Sequence, residues 1–254
     1  MLVFAHRGAS GYQAENTLAA MQMALDLSVT AIEIDVHNVE GELYVFHDRR
    51  LENKSDGFGP IHLATKAELA QLHILGEPIP TLWQVLELIN GRCMVNIELK
   101  GCFSIAPFMD LYPRIFDELN FTHRQVLVSS FNHHYLATLK SEYGQAYVAP
   151  LVDGVPLNLA QAASDLNAYS INLSINFVNQ AMIEDAHQRG VKVFVYTVDE
   201  ADDIRALHHF GVDGIFSNYP DKAQAVVDSL VMQTDDGQAS HFHHHEDQLP
   251  HWFE

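Results

Sequence analysis

The strongest constraint on this chain is a pattern that repeats along most of its length. A short apolar run ends on a polar residue or a turn, and a segment of helical period follows. The runs are Leu2 to Ala5, Ala31 to Val36, Leu43 to Phe46, Met94 to Lys100, Gln125 to Phe131, Ala146 to Ala149, Tyr169 to Asn172, Val191 to Val198 and Gly211 to Ser217. Helical spacing begins at Leu18, Met21 and Leu25, where Asn16 or Thr17 serves as N-cap. It returns at 81–89, 104–119, 133–142, 157–165, 178–189, 200–210 and 220–232. Alternation sustained this far predicts an α/β fold with a parallel sheet. Nine strand candidates suit an eight-stranded (β/α)8 TIM barrel with one extra short strand. A doubly wound open sheet is the alternative, weakened because no strand runs into a Gly-x-Gly-x-x-Gly turn.

The 254 residues suit one barrel domain over 1–234, with a short insertion after the third strand at 49–80. The insertion has weak periodicity, several glycines and prolines, and a short predicted helix at 66–73. It reads as an excursion over one mouth of the domain, the place where lids and substrate walls are found. From Asp235 the pattern stops. Residues 235–254 read as a flexible, His-rich C-terminal tail (His241, His243, His244, His245, His251).

Charge narrows the partners. Thirty-three acidic and fourteen basic residues give a formal charge of −19. Without a local basic patch such a chain repels nucleic acid and anionic membranes, so neither is expected as a stable partner. No interfacial apolar loop stands out in the sequence. Two cysteines, Cys93 and Cys102, make neither a disulfide framework nor a common metal motif. The first strand starts at Leu2 with no basic region ahead of it, and no apolar run reaches membrane-span length. The expectation is a soluble, cytoplasmic protein.

The strand ends carry the chemistry. Phe4-Ala5 stops on His6-Arg7, and Val45-Phe46 stops on His47-Asp48. In Ala31 to Val36, Ile32, Ile34 and Val36 share one face while Glu33 and Asp35 share the other. Asn96, Glu98 and Lys100 likewise share a face. Whether residues 31–47 form a hairpin around Glu40-Gly41 or two barrel strands, position 47 returns near positions 33 to 35. In a barrel these ends converge on one mouth. Inward carboxylates are unfavourable without a cation between them, and Glu33, Asp35 and Glu98 suit a hard divalent ion, Mg²⁺ or Ca²⁺. His6 and His47 titrate in the right range for acid–base work. Arg7 and Lys100 are suited to phosphoryl oxygens. Together these groups describe cleavage of a phosphodiester.

The ordered set His6-Arg7-Gly8, Glu15-Asn16-Thr17, Glu33-Ile34-Asp35-Val36, Phe46-His47-Asp48, Ile97-Glu98-Leu99-Lys100, Ser129-Ser130-Phe131 and Gly211-Val212-Asp213-Gly214-Ile215 through Tyr219-Pro220 resembles the glycerophosphodiester phosphodiesterases. The resemblance implies a TIM barrel that hydrolyses small glycerophosphodiesters to sn-glycerol 3-phosphate and an alcohol. It implies His6 and His47 as the acid–base pair, Glu33, Asp35 and Glu98 as metal ligands, and Arg7 and Lys100 on the phosphate. Phe131 and Tyr196 are expected as aromatic substrate walls. It also implies attack by the substrate's own glycerol hydroxyl through a cyclic phosphate. The chain departs from the family pattern at Ala14 (usually proline), Tyr196 (usually tryptophan) and Asp199 (usually asparagine), and its insertion is shorter. The alternatives are a lysophospholipase D-like or phosphoinositide-cleaving enzyme on the same scaffold, or a non-catalytic phosphodiester-binding protein.

Overall fold

The computed structural model describes residues 1–235. Beyond Asp235, the expected His-rich tail lies outside the described residues. The strands are β1 (Leu2–Ala5), β2 (Ala31–Val39), β3 (Glu42–Val45), β4 (His73–Ile74), β5 (Glu77–Pro78), β6 (Met94–Leu99), β7 (Val126–Ser130), β8 (Tyr147–Val152), β9 (Ser170–Ser174), β10 (Lys192–Tyr196) and β11 (Gly214–Ser217). The α-helices are α1 (Leu18–Asp26), α2 (Lys66–Leu69), α3 (Leu82–Ile89), α4 (Ile105–Glu118), α5 (His133–Glu142), α6 (Gln161–Asp165), α7 (Gln180–Gln188), α8 (Ala201–His209) and α9 (Pro220–Asp235). The main sheet runs β1-β11-β10-β9-β8-β7-β6-β2-β3, and β1 also pairs with β2. That pairing, Phe4 opposite Ala31, closes eight parallel strands into a (β/α)8 barrel and rules out the open sheet.

Of the nine strand candidates, Leu43 to Phe46 is the extra one. β3 runs antiparallel to β2, with Val36 opposite Val45, so residues 31–47 form the hairpin. Its turn needs positive φ at Glu40 and Gly41.

Local chemistry sets the helix ends. The Thr17 hydroxyl accepts the Ala20 N–H at 3.2 Å and starts α1. Thr81 and Gln84 form a reciprocal capping box for α3, whose Leu82, Val85, Leu86 and Ile89 are buried. α6 begins at Gln161, later than the apolar spacing suggests, because Leu159 adopts the left-handed conformation at φ 48°.

Inside the barrel, Phe4 stacks on Phe216 at 4.6 Å and tilts against Phe194 at 5.1 Å. Tyr147 stacks on Tyr169 at 4.6 Å. These rings fill the barrel beneath the strand ends, so the C-terminal mouth has a solid floor. The insertion is better ordered than its sequence suggests. Leu51, Ile61, Leu69, Ile74 and Ile79 pack with Val39, Tyr44 and Phe46 into a small core of their own. The helix expected at 66–73 is only α2, because the chain turns at Leu75-Gly76 into the β4–β5 hairpin. Among the described residues no helix is long and apolar enough to cross a membrane.

Candidate active site

Register builds the carboxylate cluster. β2 and β6 pair with Glu33 opposite Asn96 and Asp35 opposite Glu98, so alternation turns all four side chains into the barrel. Glu33, Asp35 and Glu98 are buried, and one oxygen of each lies within 4.8 Å of the others. Two cations face them. Lys100 Nζ sits 3.3 Å from Asp35 Oδ1 and 2.9 Å from Glu98 Oε1. Arg7 reaches Asp35 Oδ2 at 3.3 Å and Glu15 Oε1 at 3.0 Å, and its backbone N–H donates to Glu33 Oε2 at 2.9 Å. Arg7 adopts positive φ to do this, and Gly8 follows at φ 78°. A Cβ on Gly8 would lie 2.7 Å from the Ala20 backbone, so this turn packs against α1 only with glycine.

The carboxylates do not behave alike. Burial, then the charges of Asp35 and Glu98, hold Glu33 well above the ordinary carboxylate range. Burial and Asp35 push Glu98 up to about 7. Burial opposes ionisation of Asp35 too, but Lys100 and Arg7 overcome it and hold this carboxyl below its usual value. Three hard oxygen donors this close, with two resisting ionisation in one another's company, fit a divalent cation of the Mg²⁺ or Ca²⁺ type.

His6 follows β1. Its Nδ1 lies 2.8 Å from Asn218 Oδ1, and its Nε2 lies 3.9 Å from Glu33 Oε2. Burial, then the Arg7 charge, lower its pKa to about 4. His47 follows β3, with Nδ1 2.5 Å from Asp48 Oδ1 and its carbonyl 3.1 Å from His37 Nε2. Burial lowers its pKa as well, while Asp35 and Asp48 raise it. The Phe131 ring meets Tyr196 edge-on at 6.2 Å, and the Glu98 charge is felt at the Tyr196 hydroxyl. All nine residues singled out by sequence therefore gather at one mouth.

Sequence reasoning gave no place in the site to Asn16, a candidate N-cap, or to Asn218 and Asp199. Buried Asn16 donates to Asp35 Oδ2 at 2.9 Å. Asn218 follows β11, and the strand-end rule that found His6 finds it as well. The mouth also differs from expectation in its rim. Phe103, Phe131, Leu157 and Phe177, on the loops after four consecutive barrel strands, expose apolar side chains.

A closed barrel carrying clustered carboxylates, two imidazoles and two cations at its C-terminal mouth defines a barrel phosphoesterase. The chain belongs to the glycerophosphoryl diester phosphodiesterase family, a family of phosphoric diester hydrolases, whose model matches residues 6–222. A glycerophosphodiester phosphodiesterase of Caldanaerobacter subterraneus subsp. tengcongensis is 34% identical over 236 residues, covering 87% of this chain and 95% of the relative. An Oleispira antarctica phosphodiesterase solved with its product sn-glycerol 3-phosphate has a TM-score of 0.81 at 28% identity, covering 90% of this chain and 97% of that one. A Silicibacter pomeroyi structure at 22% identity and TM-score 0.82, covering 91% and 94%, shares the fold.

Proposed function

We propose that this enzyme hydrolyses glycerophosphodiesters to sn-glycerol 3-phosphate and an alcohol, using a divalent cation, Mg²⁺ or Ca²⁺, and the pair His6 and His47. The observation that carries the reading is the buried set Glu33, Asp35 and Glu98, close enough to share one ion, with His6 Nε2 beside Glu33. The product found in the Oleispira antarctica relative supports the substrate class.

Glu33, Asp35 and Glu98 would hold the cation, which supplies charge neutralisation at the phosphate and acidifies a nearby hydroxyl. Arg7 and Lys100 orient the phosphoryl oxygens. His6 is the base. Its Nδ1 is held by a neutral amide and its Nε2 is free to take the proton of the attacking hydroxyl. His47 is the acid. Asp48 on its Nδ1 stabilises the imidazolium, which gives its proton to the leaving alkoxide as the P–O bond breaks and a cyclic phosphate forms. Water, deprotonated by His47, then opens that ring while His6 returns its proton to the glycerol oxygen, leaving sn-glycerol 3-phosphate. Phe131 and Tyr196 form an aromatic wall for the substrate.

A second reading, cleavage of lysophospholipids by the same site, draws support from the exposed apolar rim around the mouth. A release assay separates the two. Glycerophosphocholine, glycerophosphoethanolamine, glycerophosphoglycerol and lysophosphatidylcholine are each offered with Mg²⁺ or Ca²⁺. The first reading requires sn-glycerol 3-phosphate from at least one glycerophosphodiester, and its absence from all of them overturns it. Release of choline from the lysolipid alone supports the second.

A further inference from the structure

We propose that Asp199 and Asn218 are positioning residues that hold the His6 imidazole in one tautomer, proton on Nδ1, with the Nε2 lone pair turned toward the carboxylates of the mouth. The catalytic consequence rests on the reading of His6 as the base.

A carboxylate only accepts hydrogen bonds. Asp199 Oδ2 lies 2.6 Å from Asn218 Nδ2, and its Oδ1 accepts the Asn218 backbone N–H at 2.8 Å and the Ser217 hydroxyl at 2.9 Å. The Asn218 side chain must therefore present its NH₂ to Asp199. Its carbonyl oxygen is left facing His6 Nδ1 at 2.8 Å and Ser10 Oγ at 2.8 Å. An amide oxygen can only accept, so Nδ1 carries the proton. In the neutral ring Nε2 is then the unprotonated nitrogen, and it points to the site, 3.9 Å from Glu33 Oε2.

The backbone keeps this relay in place. The His6 N–H donates to the Ser217 carbonyl at 2.9 Å, and the Gly11 N–H donates to the Asn218 carbonyl at 2.8 Å. A Cβ on Gly11 would lie 2.4 Å from the Tyr219 ring, so the loops after β1 and β11 meet only with glycine there. Asp199 is also one of the places where the sequence departs from the family pattern. With an amide at 218, an acceptor-only residue at 199 is what fixes the amide's orientation. An amide at 199 could pair with either orientation of Asn218, and one of those turns a donor toward His6.

The test is nitrogen-15 NMR of the full chain with labelled histidine, joined to steady-state kinetics. The wild-type spectrum is expected to contain a neutral ring protonated on Nδ1, assigned to His6 by its loss in His6→Gln. In Asp199→Asn that ring shifts toward the Nε2-protonated form, and kcat falls about 10-fold or more with KM changed less than about 3-fold. The exchange Asp199→Asn with Asn218→Asp keeps every donor matched to an acceptor, and restores both the Nδ1–H signature and most of kcat. A wild-type His6 protonated on Nε2 overturns the proposal. So does an Asp199→Asn enzyme with unchanged signature and kcat, or a double variant no better than the single one. Full turnover in His6→Gln would instead remove the base role of His6, while the tautomer result stands.

Discussion

Asp35 and Glu98 occupy directly paired positions on adjacent parallel strands, and the Lys100 ammonium bridges them, 3.3 Å from one and 2.9 Å from the other. They are nonetheless inequivalent. Asp35 has Arg7 as a second cation and the Asn16 amide as a donor, and its carboxyl is held below the usual range although burial opposes this. Glu98, buried and facing Asp35, is pushed up to about 7. One layer of the barrel thus contains a firm anion beside two carboxyls that ionise reluctantly, and a bound cation would relieve the repulsion.

Metal removal tests that arrangement. EDTA is expected to abolish turnover, and Mg²⁺ or Ca²⁺ to restore it. Asp35→Asn should weaken cation binding by about 10-fold or more in calorimetry, since it removes the one carboxylate of the three that is held ionised without a bound metal. Chelator-resistant hydrolysis would exclude the metal role.

Glu98 gives the metal-free protein a pH dependence of known sign. Its folded-state pKa lies above the unfolded value of 4.5, so its stabilising contribution is complete below pH 4.5 and is lost as pH rises through about 7. The buried histidines move stability the other way across part of this window, so the comparison is with Glu98→Gln. Relative to metal-free wild type, the variant should gain on the order of 3 kcal/mol between pH 4.5 and 8 in urea unfolding. A constant difference across that range would contradict the assigned shift.

Removing either imidazole should separate chemistry from folding. His6→Ala and His47→Ala are expected to lower kcat by about 100-fold or more. Far-UV circular dichroism should stay at the wild-type signal. Near-normal turnover in either variant would refute its role.

The turn after His6 should tolerate little change. Gly8→Ala places a methyl 2.7 Å from the Ala20 backbone at φ 78°, and is expected to destabilise by about 1 kcal/mol or more. A melting temperature equal to wild type would show that the turn relaxes freely.

How much of this was written in the chain can be followed residue by residue. Alternation along a strand depends only on local geometry, so Glu33 and Asp35 could be assigned to one face, and Asn96, Glu98 and Lys100 to another, before any fold was known. The repeating strand–helix pattern gave the α/β class for the same reason. The core of the 49–80 insertion was not legible, because Ile61, Leu69 and Ile79 are scattered in sequence and gather only against Tyr44 and Phe46.

Closure, which the family resemblance implies, is not legible in the local pattern, since an open sheet and a barrel share it; β1 pairs with both β2 and β11. The hydrogen bond from His6 to Asn218 spans 212 positions. Sequence by itself determined which residue types end each strand. Tertiary structure alone decided which ends meet, because contacts between distant segments depend on register and barrel closure, and neither has a local signature.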